Sequence, residues 1–244
     1  MSNDNRPWPQ EGRERMILTH PIDLIGTDLP DHHDEYLAKM DDKHVFMMGD
    51  NPAIPRMPEK PTLIDFFNLR FNKVTYHHLT TAAQRALDAG QDEKIIMACM
   101  LHDIANGCLI RVDHGYWGAQ LIAPYVDEEV AWAVKYHQSL RYLPDESVGY
   151  PYPESYHRFF GPDYVPPAYI MRDAEYAKNH PWYMTARWVT MYDLYFFDET
   201  PDVKIEDFTD IIARNFRQPE EGLGHDDSPS SHMWRSMIWP HNFL

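Results

Sequence analysis

The feature that most constrains this chain is the doublet His102-Asp103, because it closes a segment whose apolar face already points at it. The stretch reads EKIIMACMLHDIAN, with Ile95, Ala98, Cys99 and His102 at i, i+3, i+4 and i+7. On a helix these four form one stripe, so His102 is aimed into a core rather than at water. An imidazole and a carboxylate buried side by side must be paired or hold a metal, since burying either alone is costly. Whatever the chain folds into must therefore gather partners around that doublet. His and Asp are ligands suited to iron, manganese or zinc.

Partners are available on similar faces. His78, in TYHHLTTAAQRAL, shares a helical face with Ala82 and Ala86. In DHGYWGAQLIAPYV, His114 lines up with Gly118, Leu121, Ile122 and Tyr125, and in EEVAWAVKYHQ, His137 lines up with Val130, Ala133 and Val134. In PPAYIMRDAEYAK, Asp173 joins Tyr169, Ile170 and Ala177. Histidine is common here, 14 of 244 residues, so one such match is cheap, but five segments in one order are not. His77 lies about 100° around the helix from His78, which leaves His78 as the inward one. His20, His32, His33 and His44 fall in a polar, proline-rich leader, His225, His232 and His241 in the tail, and His180 before Pro181, where a helix should end.

The order His, His-Asp, His, His, Asp resembles the HD-domain superfamily, in particular its two-metal members, over about residues 66 to 200. That resemblance implies one metal held by His78, His102, Asp103 and Asp173 and a second by His114 and His137, with Asp103 bridging both. Three strings are similar to the branch that includes inositol oxygenase and the phosphonate-oxidising enzymes, which works with a mixed-valence diiron pair and O2. They are DHGYWGAQLIAPYV, YHQSLRYL, with Arg141 where that branch has an anion-binding Lys, and MRDAEYAK. Departures exist too. Asn106 stands where relatives commonly have a basic residue, and an amide can only orient a ligand or water. Asn68 and Phe71 occupy the places of a lid Tyr and Glu, and the register from Asp173 to Lys178 is one residue longer.

Composition narrows the function classes. A chain of 244 residues can bury a substantial core. Its net charge of −16 argues against nucleic acid or an anionic membrane as partner, since both need a cationic surface. The polar start MSNDNRPWPQEGRER lacks an apolar signal segment, and the run IIMACML is too short to span a bilayer. With only Cys99 and Cys108, reduced thiols in a cytoplasmic setting are the expectation.

The expected architecture is all-α: an extended, Pro-rich N-terminal arm over 1–62, an HD helical bundle over 63–200, and a C-terminal extension over 201–244. The extension carries Trp234, Met237, Ile238, Trp239 and Phe243, apolar density that should dock on the domain or on a second copy in a homo-oligomer. The segment PDESVGYPYPESYHRFFGPDYVPP is the candidate lid, with His157 and Arg158 placed to contact a substrate. The resemblance implies an oxidoreductase, a dioxygenase with two iron ions (Fe2+/Fe3+) acting with O2 on a small hydroxylated, anionic molecule. The alternative is a hydrolase of phosphate esters using Mn2+ or Zn2+, and a third reading is a silent metal-binding HD protein. Beyond the ligands, Asn106 and Arg141 are the candidate catalytic residues. Arg141 lies one turn after His137 and is suited to grip an anion, with Lys178 serving a longer substrate.

Overall fold

The computed structural model describes residues 55, 57–105, 113–153, 156–157, 160–161, 163–193 and 202–238. Its regular elements are helices, and the only strand-like feature among the described residues is an isolated bridge between Asp145 and Tyr150. The all-α expectation is met. The N-terminal arm, apart from its last few residues, lies outside the described residues, as do Asn106, Cys108, Arg158, Trp239 and Phe243.

Short polar residues start the helices where the sequence places them. Thr62 and Asp65 form a reciprocal capping box for α1 (Leu63–Arg70). Asn72 accepts from the Thr75 amide ahead of α2 (Lys73–Asp88), and Asp92 from the Lys94 amide ahead of α3 (Glu93–Leu101). α4 (His114–Ile122) is followed by α5 (Glu128–Leu140), where Asp127 accepts from the Glu129 amide. Pro167 precedes α6 (Ala168–Lys178), matching its fixed φ. The chain continues through α7 (Tyr183–Tyr192), a 3-10 turn at Ile205–Phe208, α8 (Thr209–Asn215) and α9 (Ser231–Ile238).

α3 sits at the centre. Every residue from Ile96 to Leu101 is buried, and the helix packs against α2, α5, α7 and α8. A helix buried all round belongs in the interior. α4 lies along α5 at close range because glycine lets it: a Cβ on Gly115 would sit 2.8 Å from the Lys135 carbonyl and 2.9 Å from that of Val134. That approach brings His114 beside His137.

The C-terminal extension completes the core. Trp234 is fully buried, meets Phe66 edge-on at 4.9 Å and donates its Nε1–H to the Leu121 carbonyl. Met237 and Ile238 are buried with it, so these three side chains are used within the chain itself. No helix among the described residues is long and apolar enough to cross a membrane.

Candidate metal centre

Four imidazoles and two carboxylates converge at the middle of the bundle. His78 comes from α2, His102 and Asp103 from the end of α3, His114 from the start of α4, His137 from the last turn of α5, and Asp193 from the end of α7. All six are buried. The ligand atoms of His78, His102 and Asp193 lie within 4.8 Å of one another, as do those of His102, Asp103 and His137.

The distances have the character of a coordination shell. His78 Nε2 is 3.0 Å from His102 Nε2 and 3.1 Å from Asp193 Oδ1, and His102 Nε2 is 3.6 Å from the same oxygen. Ligand atoms ~2.1 Å from a common ion stand ~3.0 to ~3.5 Å apart, depending on geometry. On the other side, Asp103 Oδ1 is 3.1 Å from His114 Nε2 and 3.8 Å from His137 Nε2. Asp103 Oδ2 faces back toward His78 and His102, at 3.8 and 3.9 Å. One carboxylate thus turns an oxygen to each half of the cluster.

Hydrogen bonds around the cluster orient two of the rings. His102 Nδ1 donates to the Cys99 carbonyl at 2.7 Å, and His137 Nδ1 to the Val134 carbonyl at 2.6 Å. A carbonyl can only accept, so each Nδ1 carries the proton and each Nε2 is the atom presented to the cluster. His137 Nε2 is buried with no hydrogen-bond partner, a lone pair that a metal would satisfy. These His and Asp groups could hold a metal ion, and their donor set suits iron, manganese or zinc.

Electrostatics without metal follow from crowding. Burial alone would lower the His102 pKa, but Asp103 and Asp193 outweigh it and hold it up at about 9. Burial disfavours both carboxylates too, yet His102, aided by His114 at Asp103 and by His78 at Asp193, holds each well below the usual carboxylate range. His137 goes the other way: burial, reinforced by His102 and His114, takes it down to about 4.

The residues expected from sequence fall into three groups. His78, His102, Asp103, His114 and His137 are brought together. Asp173 is not: it lies half-buried on α6, and Asp193 occupies the place beside His78 and His102 instead. The reason is geometric. Asp173 shares its helix with Ile170 and Ala177, but Tyr169 on that face is 39% exposed, so the stripe runs along the edge of the bundle. Asp193 was legible by the rule that found His102, since Ala186, Val189, Thr190 and Asp193 are spaced i, i+3, i+4 and i+7, and all four are buried.

The intended substrate contacts also divide. The Arg141 guanidinium lies 4.9 Å from the Tyr142 ring, 5.7 Å from Tyr156 and 5.9 Å from Phe160, and it donates to the Tyr142 hydroxyl. Its Nε is buried without a hydrogen-bond partner. Burial opposes its charge, but Tyr156, Tyr142 and Asp193 outweigh it and raise its pKa. His157 is exposed beside Tyr152, whereas its neighbour Tyr156 is buried with its hydroxyl 3.5 Å from Asp193 Oδ2. Lys178 points to Asp145 at 3.8 Å, an ion pair at the surface. His180 stacks on Trp132 at 4.2 Å as a packing residue. Set against known proteins, the chain matches no family model and none of the curated proteins.

Proposed function

We propose that the protein is a dinuclear metalloenzyme of the HD type, a diiron oxygenase acting on a small hydroxylated substrate with a phosphonate-like anionic group. The observation that carries the two-metal reading is the setting of Asp103, with Oδ1 toward His114 and His137 and Oδ2 toward His78 and His102. A shared carboxylate offsets the repulsion between two nearby cations. The choice of iron and O2 rests on the strings around His114 and His137 described above.

In this reading His78, His102 and Asp193 would hold one ion, His114 and His137 the other, and Asp103 would serve both. A bound iron pair would supply O2 activation and removal of hydrogen from the carbon that bears the substrate hydroxyl. The protein's own residues do the remaining work. The Cys99 and Val134 carbonyls fix the tautomers and aim of His102 and His137. Arg141 holds the anionic group, because a half-buried arginine with a buried, unused Nε–H favours a planar or tetrahedral oxyanion over water. Tyr142, Tyr156 and Phe160 pack ring against ring beside it and shield it from water.

The test is O2 consumption by iron-loaded, partly reduced protein against a panel of hydroxyalkyl phosphonates and polyols. Phosphate esters with Mn2+ serve as the comparison. O2 uptake with at least one hydroxylated anion, abolished in Arg141→Leu with metal retained, is expected. Robust phosphate release without O2 uptake would place the protein among the hydrolases. Normal kinetics in Arg141→Leu would remove the anion grip.

A further inference from the structure

Arg187 is fully buried in α7, yet its partners are carbonyls and hydroxyls rather than a carboxylate. Its Nη1 donates to the Leu140 carbonyl at 3.1 Å and its Nη2 to that of Leu143 at 3.0 Å. Its Nε donates to the Tyr183 hydroxyl, and the guanidinium lies 4.5 Å over the Tyr150 ring. The Tyr150 hydroxyl in turn donates to the Arg141 carbonyl at 3.0 Å. Arg187 and Tyr150 therefore serve three carbonyls, those of Leu140, Arg141 and Leu143, at and just past the C-terminal end of α5, where helix carbonyls lack intrahelical donors and the dipole favours a cation.

The two helices joined in this way carry different halves of the metal centre. α5 presents His137 in its last turn and Arg141 as its C-cap, while α7 ends at Asp193. The connection extends to α6, since the Tyr183 hydroxyl donates to Asp145 Oδ2 at 2.7 Å and Asp145 pairs with Lys178. The Ser147 and Tyr183 hydroxyls hold the Asp145 pKa down at about 2, so that end of the chain stays ionised at any ordinary pH. We propose that Arg187 is a positioning residue for the metal centre: it keeps His137 and Arg141 in register with Asp193. The proposal rests on the two-metal reading. A flat, five-donor fork is required because the acceptors lie in different directions, and lysine offers only a point charge.

A second arginine supplies the control. Arg70 is also buried, and its Nε and Nη2 donate to the Met237 and Ile238 carbonyls at the end of α9, a helix that carries no site residue. It does for α9 what Arg187 does for α5, without a metal ligand on either side.

The experiment titrates Mn2+ into the full chain by chelator competition, comparing wild type, Arg187→Lys and Arg70→Lys, with circular dichroism to verify folding. Arg187→Lys is expected to weaken at least one ion about tenfold or more, as loss of a group supporting a ligand does. Arg70→Lys should lower Tm comparably and leave both affinities within about twofold. Unchanged affinities in Arg187→Lys, or equal weakening in Arg70→Lys, would overturn the proposal. Should Arg187→Lys not fold, Tyr183→Phe, which removes the acceptor of Nε, is read the same way: weaker binding supports the brace and wild-type binding overturns it. Wild type taking up a single ion would refute the two-metal reading, and the brace would then be judged on that ion's affinity.

Discussion

Replacing Asp193 by Asn distinguishes the cluster that the structure gathers from the ligand set expected on sequence. The change keeps shape and an acceptor oxygen but deletes one charge from a site where the Asp193 side chain is only 2% exposed. Removing one partner of a buried charged pair costs about 3–5 kcal/mol, since the other charge is left uncompensated. At about 1.4 kcal/mol per factor of ten, that is a weakening of metal binding by roughly two to three and a half orders of magnitude. Asp173→Asn touches a half-buried residue outside the cluster, and such changes stay within about 0.5 kcal/mol, or roughly twofold. Calorimetric titration of both variants with Mn2+ under anaerobic conditions reads the difference directly. Equal losses, or a larger loss in Asp173→Asn, would refute the assignment.

Further outcomes follow from the setting of His102 and from the packing of Trp234. Metal-free His102 keeps its proton up to about 9 against an ordinary 6.5, so metal uptake at Nε2 should release close to one proton at pH 7, and affinity should rise with pH until about 9. By linkage, that raised pKa stabilises the metal-free fold fully below about 6.5, and the contribution is lost as pH rises through about 9. Buffer-dependent binding enthalpies and a Tm–pH series check both, and a proton release near zero would contradict them. Trp234→Ala empties a fully buried site and should cost about 3–5 kcal/mol, a fall of roughly 10 °C in Tm by calorimetry, with metal binding retained.

Much of this site was legible because burial leaves a periodic trace. His78, His114 and His137 each share a stripe with small or aliphatic residues, and those stripes are the buried faces of α2, α4 and α5. The Asp193 stripe is as regular, but Asp173 offers a similar face inside a string that resembles a known family's. A stripe tells which way a side chain points relative to its own helix. It does not tell whether that helix faces the middle of the bundle or its rim, which is settled by how α6 and α7 pack on α5. Tyr156 had no such trace: it lies on a short helical stretch inside the Tyr- and Pro-rich segment, whose prolines and glycines read as loop, so no stripe marks its inward face. Arg187 was equally hidden, since its acceptors are backbone carbonyls of residues 44 and 47 positions away, which leave no side-chain signature.

The central claim is that one carboxylate joins two metal positions, and the most direct measurement is metal content per chain in fully loaded wild type and in Asp103→Ala. The geometry of Asp103, with one oxygen toward each half of the cluster, predicts two ions in the wild type and loss of both in the variant, while His137→Ala loses mainly one. A single ion in fully loaded wild type, or an Asp103→Ala protein that keeps its metals, would contradict the account.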